Sequence, residues 1–253
     1  MNLQPTLLPE FNEETQSYSF QGERLDRVSD VLNVLSKEFK ALWTVKEMYN
    51  FLLDKQEKIK TLLPEDYEHL LYEGKIQHKK ISDRAKKEGS EIHDWIERYI
   101  KSKINKTEFV SIPPTSEHAQ HAIAEFLSFC RNHEKIEWVA SEMKLMHREK
   151  KIAGTLDALV YIDGTFTLLD FKSSNQISHD YYLQTAIYLW LLSENIAHKE
   201  ISLYDIPSQR LILRLPKVIG SYEEYYVQTP WEDDVMTFMS ALQIKRWLDK
   251  YGK

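Results

Sequence analysis

A chain of 253 residues with a single cysteine, Cys130, cannot close an intramolecular disulfide, which fits a reducing compartment. Seven glycines and eight prolines are too few for a collagenous or low-complexity protein. No apolar run approaches the ~20 residues that span a bilayer. The opening segment MNLQPTLLPEFNEE lacks the basic start and long apolar stretch of a secretory signal. A phosphate-cradling G-x-x-x-x-G-K-[ST] loop is also missing, which excludes a built-in nucleotide-driven motor. The expectation is a soluble intracellular protein with no membrane partner.

At 42% hydrophobic residues the chain can bury a substantial core, as one domain with elaborations or as two closely packed lobes. Its net charge of -6 has the wrong sign for a polyanionic partner, but distribution matters more than the sum. From Lys75 to Lys106 there are ten Lys and Arg against five Asp and Glu, so the remainder is strongly acidic. Lys79, Lys80, Arg84, Lys86 and Lys87 concentrate just before His93. Such a run is commonly a solvated helical face, yet its position suits contact with phosphates.

Periodicity predicts a strand or hairpin over 17–28 around Gly22, then helices over 29–39 and 44–60. After Pro64 it predicts a helical pair, 65–80 and 82–101, the second with Ile92, Trp95, Ile96, Tyr99 and Ile100 on one stripe. Pro113-Pro114 precedes a helix over 116–132, whose His118 and His121 read as surface or packing residues. Strands are expected over 137–147, 155–162, 165–171, 201–206 and 209–216, and an amphipathic helix over 231–251.

The chemistry concentrates between Gly154 and Tyr188. Asp163-Gly164 between two β-branched and aromatic runs is a strong signal for a two-residue hairpin turn. That turn fixes the register, and the register sets Asp157 opposite Asp170. Like charges so placed, with Cβ atoms roughly 4.5–5.5 Å apart, destabilise a sheet unless a cation offsets them. If Arg148 to Lys151 form the preceding loop, Glu142 falls opposite Asp157 and three acids line up across three strands. Lys172, two residues beyond Asp170, shares its face, where a cation suits an attacking hydroxide or charge developing on a phosphoryl group. Ser178 is a candidate N-cap for a helix that carries Gln184 and Tyr188 one turn apart on one face.

Taken together these residues resemble the PD-(D/E)xK nuclease superfamily, specifically its RecB-like exonuclease branch. The likeness rests on Gly89 to His93 in a G-x-x-[IVL]-H context, then Glu142, Gly154 to Asp157, Asp170 to Lys172, and Gln184 to Tyr188, in that order. It extends weakly to residues 18–39, so it covers about residues 18–215. The resemblance implies an α/β (α+β) fold: a central mixed β-sheet flanked by helices, a restriction-endonuclease-like core over 111–253, and an N-terminal helical elaboration over 1–110 that supplies His93. It implies that His93, Asp157, Asp170 and the Phe171 carbonyl ligate metal, that Lys172 is catalytic with Glu142 an accessory acid, and that Gln184 and Tyr188 contact DNA. Several members carry an iron-sulfur cluster on four cysteines, which one Cys130 cannot provide.

The function so implied is a Mg²⁺- or Mn²⁺-dependent deoxyribonuclease with one or two ions, an exonuclease acting from single-stranded ends in recombination, repair or phage DNA metabolism. Oxygen ligands suit these hard cations and one imidazole favours Mn²⁺. Any helicase or recombination protein would be a separate partner, in the cytoplasm of a bacterial or phage-infected cell. The alternatives are a nuclease-fold subunit that binds DNA without cutting, and a related endonuclease.

Overall fold

The structure, a computed structural model, describes residues 8–199, 201, 203 and 205–252, and of residues 37–39 only the backbone. Three short strands come first: β1 (Glu10–Asn12), β2 (Ser17–Phe20) and β3 (Glu23–Arg27). Helix α1 (Val28–Leu32) follows, then α2 (Lys37–Asp54), the single-turn α3 (Gln56–Ile59) and, after Pro64, the 39-residue α4 (Tyr67–Asn105). Next come α5 (Glu117–Asn132), β4 (Ile136–His147), β5 (Ile152–Ile162) and β6 (Thr165–Lys172). The last elements are α6 (His179–Ala197), β7 (Gln209–Arg214), β8 (Glu223–Tyr226) and α7 (Trp231–Tyr251).

The strands form one mixed eight-stranded sheet centred on β5. Asp163 and Gly164 sit at φ +49° and +86°, the two positive values that a twist-matched hairpin turn needs, and the β5–β6 register is the one this turn dictates. β4 runs antiparallel along the whole of β5. The other edge of β5 is divided: β6 takes residues 158–162 and β3, running parallel, takes 152–153. Among the described residues, Gly154 to Asp157 therefore have no strand ladder on that side. Past the last β5–β6 pair, the Phe171 N–H donates to the Asp157 carboxylate at 2.7 Å instead. The sheet parts where the acidic motifs meet.

Helices cover both faces. Ile92, Trp95 and Ile96 of α4 and Phe126 and Phe129 of α5 pack on Val160, Leu169, Phe171 and Leu211. On the opposite face Ile187 and Leu191 of α6, Phe238 and Leu242 of α7 and Val31 of α1 pack on Leu145, Leu159 and Leu168. Strands covered on both sides read as near-continuous apolar sequence, which is why 155–162 carries so little alternation. Each such side chain, fully buried, contributes about 1.5–3 kcal/mol by removal from water. The buried Arg210 guanidinium ties the layers, donating to Tyr182 O, Thr185 Oγ1, Thr229 O and Asp234 Oδ2. Asp26 at the end of β3 receives Lys245 at 2.8 Å and Arg246 at 2.9 Å from α7.

Several local expectations fail for identifiable reasons. The predicted helical pair is one helix: nothing between Tyr67 and Asn105 is a proline, and α2 packs along the first half of α4. Gly74 marks that crossing, since a Cβ there would lie 3.2 Å from Phe51 Cδ1. The expected break near residues 40–43 falls at Asn33 to Ser36, so α2 begins earlier than predicted. The strand expected over 201–206 falls partly on residues 202 and 204, outside those described, and residues 201, 203, 205 and 206 carry no strand. β1 and β8 are too short to show periodicity, and pairing with neighbours makes them strands. Among the described residues no helix is long and apolar enough to cross a membrane.

Candidate active site

Asp157 is the first residue of β5 beyond its ladder with β6, and its carboxylate is anchored by the Phe171 N–H. His93, at the edge of the buried stripe of α4, brings Nδ1 to 3.8 Å from both Asp157 Oδ1 and Glu142 Oε1. These separations are too long for hydrogen bonds but leave strong mutual electrostatics. The Phe171 ring meets the imidazole edge-on at 6.1 Å. One residue thus pins Asp157 with its backbone and flanks His93 with its ring.

Glu142 reaches this group through a strained backbone. The β4–β5 register shifts by one between Trp138 and Ala140, and beyond that bulge it follows the four-residue loop at Arg148 to Lys151. Glu142 lies between the Ser141↔Ala158 and Met143↔Leu156 pairs, level with Asp157, at φ +49°. A non-glycine residue in that region costs of order 1–3 kcal/mol and persists where its surroundings over-determine it. Ligand atoms of His93, Glu142 and Asp157 all lie within 4.8 Å of one another, a group that could hold a metal ion.

Asp170 stands beside this trio, fully buried at 0% exposure. Lys172 Nζ lies 2.6 Å from its Oδ2, but neither carboxylate oxygen has a well-aligned hydrogen-bond donor. Burial pushes its pKa up to about 6, with Asp157 adding to the rise and Lys172 opposing it. Asp157 is likewise raised by burial, against His93 and Lys172. Burial works against a charged His93, but Asp157 and Glu142 outweigh it and lift the imidazole to about 9. Burial also opposes charge on Lys172, and Asp170 and Asp157 overcome it, so the ammonium is held above its ordinary value.

Three carboxylates against one lysine and one imidazole leave the group short of positive charge. A hard divalent cation fits that deficit, the oxygen-rich donor set and the undonated oxygens of Asp170.

The model of one nuclease family matches residues 49–250 of this chain, which includes every residue of the site. The chain belongs to the PD-(D/E)XK nuclease superfamily. Its members generally use divalent metal ions, in keeping with the His93, Glu142 and Asp157 group. A search of curated proteins finds no match. Among 18 matching chains of solved structures, the crystal structure of SSO0001 is 15% identical, at a TM-score of 0.31. That alignment covers 53% of this chain and 60% of that one, so this chain spans under two thirds of its length.

In this superfamily member the glycine of the GTLD segment and the tyrosine of QTAIY depend on each other. A Cβ at Gly154 would stand 2.6 Å from Tyr188 Cε1 and 3.2 Å from Val28 Cγ2. The Tyr188 ring therefore occupies the space that any side chain at 154 would need. Tyr188 is 5% exposed, and its hydroxyl accepts from Gln184 Nε2 at 3.0 Å. Tyr188 thus lies mostly inside the core, joined by its hydroxyl to Gln184, which is half-buried and nearer solvent.

The predicted basic segment lies on α4, and Lys79, Lys80, Arg84, Lys86 and Lys87 are all exposed. Lys87 precedes His93 by six residues, about 9 Å along the axis. Arg84 is engaged by Glu88 at 3.1 Å. Glu88 is a buried acid that also takes His118 at 3.1 Å and Lys217 at 3.4 Å. His118 thus has an acidic neighbour that its own helix did not reveal, because Glu88 arrives from α4. Phe171 meets the site through its N–H to Asp157 and its ring beside His93. Tyr181 was missed: Lys172 Nζ sits 4.8 Å from its ring centre. Its spacing of three before Gln184, on the same helical face, was the available signal.

Proposed function

We propose that this chain is a Mg²⁺- or Mn²⁺-dependent exodeoxyribonuclease of the RecB-like branch. It digests DNA from single-stranded ends in recombination, repair or phage DNA metabolism, in the cytoplasm, alongside a separate helicase or recombination protein. The observation that carries the reading is Asp170: a fully buried carboxylate without a well-aligned donor, set between Lys172 and the His93, Glu142 and Asp157 group.

His93, Glu142, Asp157, Asp170 and the Phe171 carbonyl would hold one or two ions. When bound, such an ion acts as a Lewis acid toward the phosphate and makes water a better nucleophile at neutral pH. The residues of the chain do the rest. Asp170 holds the Lys172 ammonium close to the group, and its raised pKa keeps it protonated, so Nζ–H donates to a phosphate oxygen as negative charge builds there. Water attacks phosphorus in line with the 3′ oxygen, whose bond to phosphorus breaks. The Tyr188 hydroxyl holds the Gln184 amide toward the substrate, and Lys79, Lys80, Arg84, Lys86 and Lys87 lead the strand along α4 through its phosphates. The region up to residue 110 serves as the DNA-guiding element, and residues 111–253 as the cutting core.

The test is incubation of the purified protein with end-labelled linear and circular DNA, single- and double-stranded, in Mg²⁺, Mn²⁺ or EDTA. Linear single strands should shorten from their ends with either metal, circles should survive, and EDTA should stop the reaction. Cut circles would make the protein an endonuclease. Intact DNA with both metals would make it a non-cutting DNA-binding subunit.

A further inference from the structure

Lys172 ends a strand on a flexible four-carbon stem, yet its ammonium must be aimed. Asp170 Oδ2 holds it from one side at 2.6 Å. On another side lies the ring of Tyr181, 4.8 Å from Nζ to the ring centre, inside the range of a cation–π contact. Tyr181 belongs to the first turn of α6, where its N–H donates to Ser178 O at 3.1 Å, so the helix start fixes the ring's backbone. Tyr181, Gln184 and Tyr188 follow at i, i+3 and i+7 on one helical face.

From this geometry we propose that Tyr181 is a positioning residue for Lys172, an aromatic wall that fixes the direction of Nζ. The inference rests on the catalytic reading of Lys172 given above. An ammonium has three N–H donors. A second carboxylate on Lys172 would engage these donors and draw the group away from substrate. The ring face attracts the charge electrostatically without accepting a strong hydrogen bond, so Nζ stays in place with donors left for a phosphate oxygen. The half-buried ring also keeps water from one flank of the ammonium, which strengthens its pull on developing charge. The hydroxyl of Tyr181 has no part in this, so phenylalanine should substitute.

The test compares Tyr181→Phe and Tyr181→Leu with the wild type by steady-state kinetics on single-stranded DNA. It also uses carbon–proton NMR of the Lys172 ε-methylene in the metal-free protein, with the signal assigned by its loss in Lys172→Arg. The expected result is an upfield, ring-shifted Lys172 signal in the wild type and Tyr181→Phe that relaxes to the ordinary lysine position in Tyr181→Leu. Tyr181→Leu should lose about 10-fold in kcat with KM changed less than about 3-fold, and Tyr181→Phe should stay within about 2-fold of wild type. An unshifted wild-type signal overturns the proposal, as does full activity in Tyr181→Leu or an equal loss in Tyr181→Phe. If the Lys172 signal behaves as expected but Lys172→Ala still cuts normally, the contact stands and the catalytic reading of Lys172 fails instead.

Discussion

Replacing Gly154 by alanine adds one methyl group at the most crowded point of the site, and the structure gives its cost. The new Cβ would lie 2.6 Å from Tyr188 Cε1, where ordinary contact begins at 3.4 Å, and 3.2 Å from Val28 Cγ2. The ring cannot yield freely, because Tyr188 belongs to the core packed by α1, α6 and α7. Overpacking of this kind costs about 1–3 kcal/mol. A displaced ring also weakens the 3.0 Å bond from Gln184 to the Tyr188 hydroxyl, worth about 0.5–1.5 kcal/mol. Against this, alanine in a strand recovers about 0.5–1 kcal/mol of the entropy that glycine loses on folding. The clash wins, with net destabilisation of about 1–3 kcal/mol. At 2–4 °C per kcal/mol for a chain of this size, the thermal midpoint should fall by about 2–12 °C. Calorimetry measures that shift, and Gly89→Ala is the control: its Cβ would meet only Ser173 Oγ, at an ordinary 3.6 Å. In the helix interior, that control should gain up to about 1 kcal/mol. The clash also predicts non-additivity, since Gly154→Ala should cost little in a Tyr188→Leu background. An unchanged melting point for Gly154→Ala, or equal costs in both backgrounds, would refute this account of why glycine and tyrosine occur together.

Three further outcomes follow from the site and the framework. Lys172→Ala should abolish turnover while DNA affinity, measured by fluorescence anisotropy, stays within a few-fold; near-normal rates would remove Lys172 from the reaction. With its imidazole lifted to about 9, His93 must shed a proton to ligate metal, so the half-saturating Mn²⁺ concentration should fall up to about 10-fold per pH unit between 7 and 9. His93→Ala should need more metal and show a flatter dependence, and identical titrations for the two proteins would exclude His93 as a ligand. Burial raises the pKa of Asp26, but Lys245 and Arg246 outweigh it and hold the carboxyl below its ordinary 3.8. A depressed carboxylate contributes stability above its unfolded value and loses it as pH falls through the folded one. Asp26→Asn should therefore unfold at lower urea than wild type at pH 7, by about 1–2 kcal/mol, with the gap closing below pH 3.8. A gap that persists undiminished into acid would show that charge is not what binds α7 to β3.

How much of this was legible in the residues depends on how local each cause is. Asp163-Gly164 permits one turn type, that turn permits one register, and the register puts Asp157 level with Asp170 before any tertiary contact is considered. Helices α6 and α7 were equally readable, because an unbroken helical run is a local property. The four-residue loop at Arg148 to Lys151 gave the β4–β5 register near Glu142, although the bulge at Trp138 and Ala140 and the positive φ of Glu142 left no trace in the sequence. The charge run before His93 marked α4 as basic but could not show that Glu88 gathers Arg84, His118 and Lys217 from three separate parts of the chain.

By itself, the sequence determined the hairpin that aligns two carboxylates, the lysine that shares their face, and the helix bearing Gln184 and Tyr188, since each follows from contacts a few residues apart. Only the tertiary structure decided that Tyr188 is a buried wedge over Gly154, that Phe171 anchors Asp157 where the sheet parts, and that Tyr181 flanks Lys172. Those outcomes depend on how α4 and α6 are pressed against opposite faces of the sheet. That packing is set by the summed burial of two cores, a quantity no single stretch of residues contains.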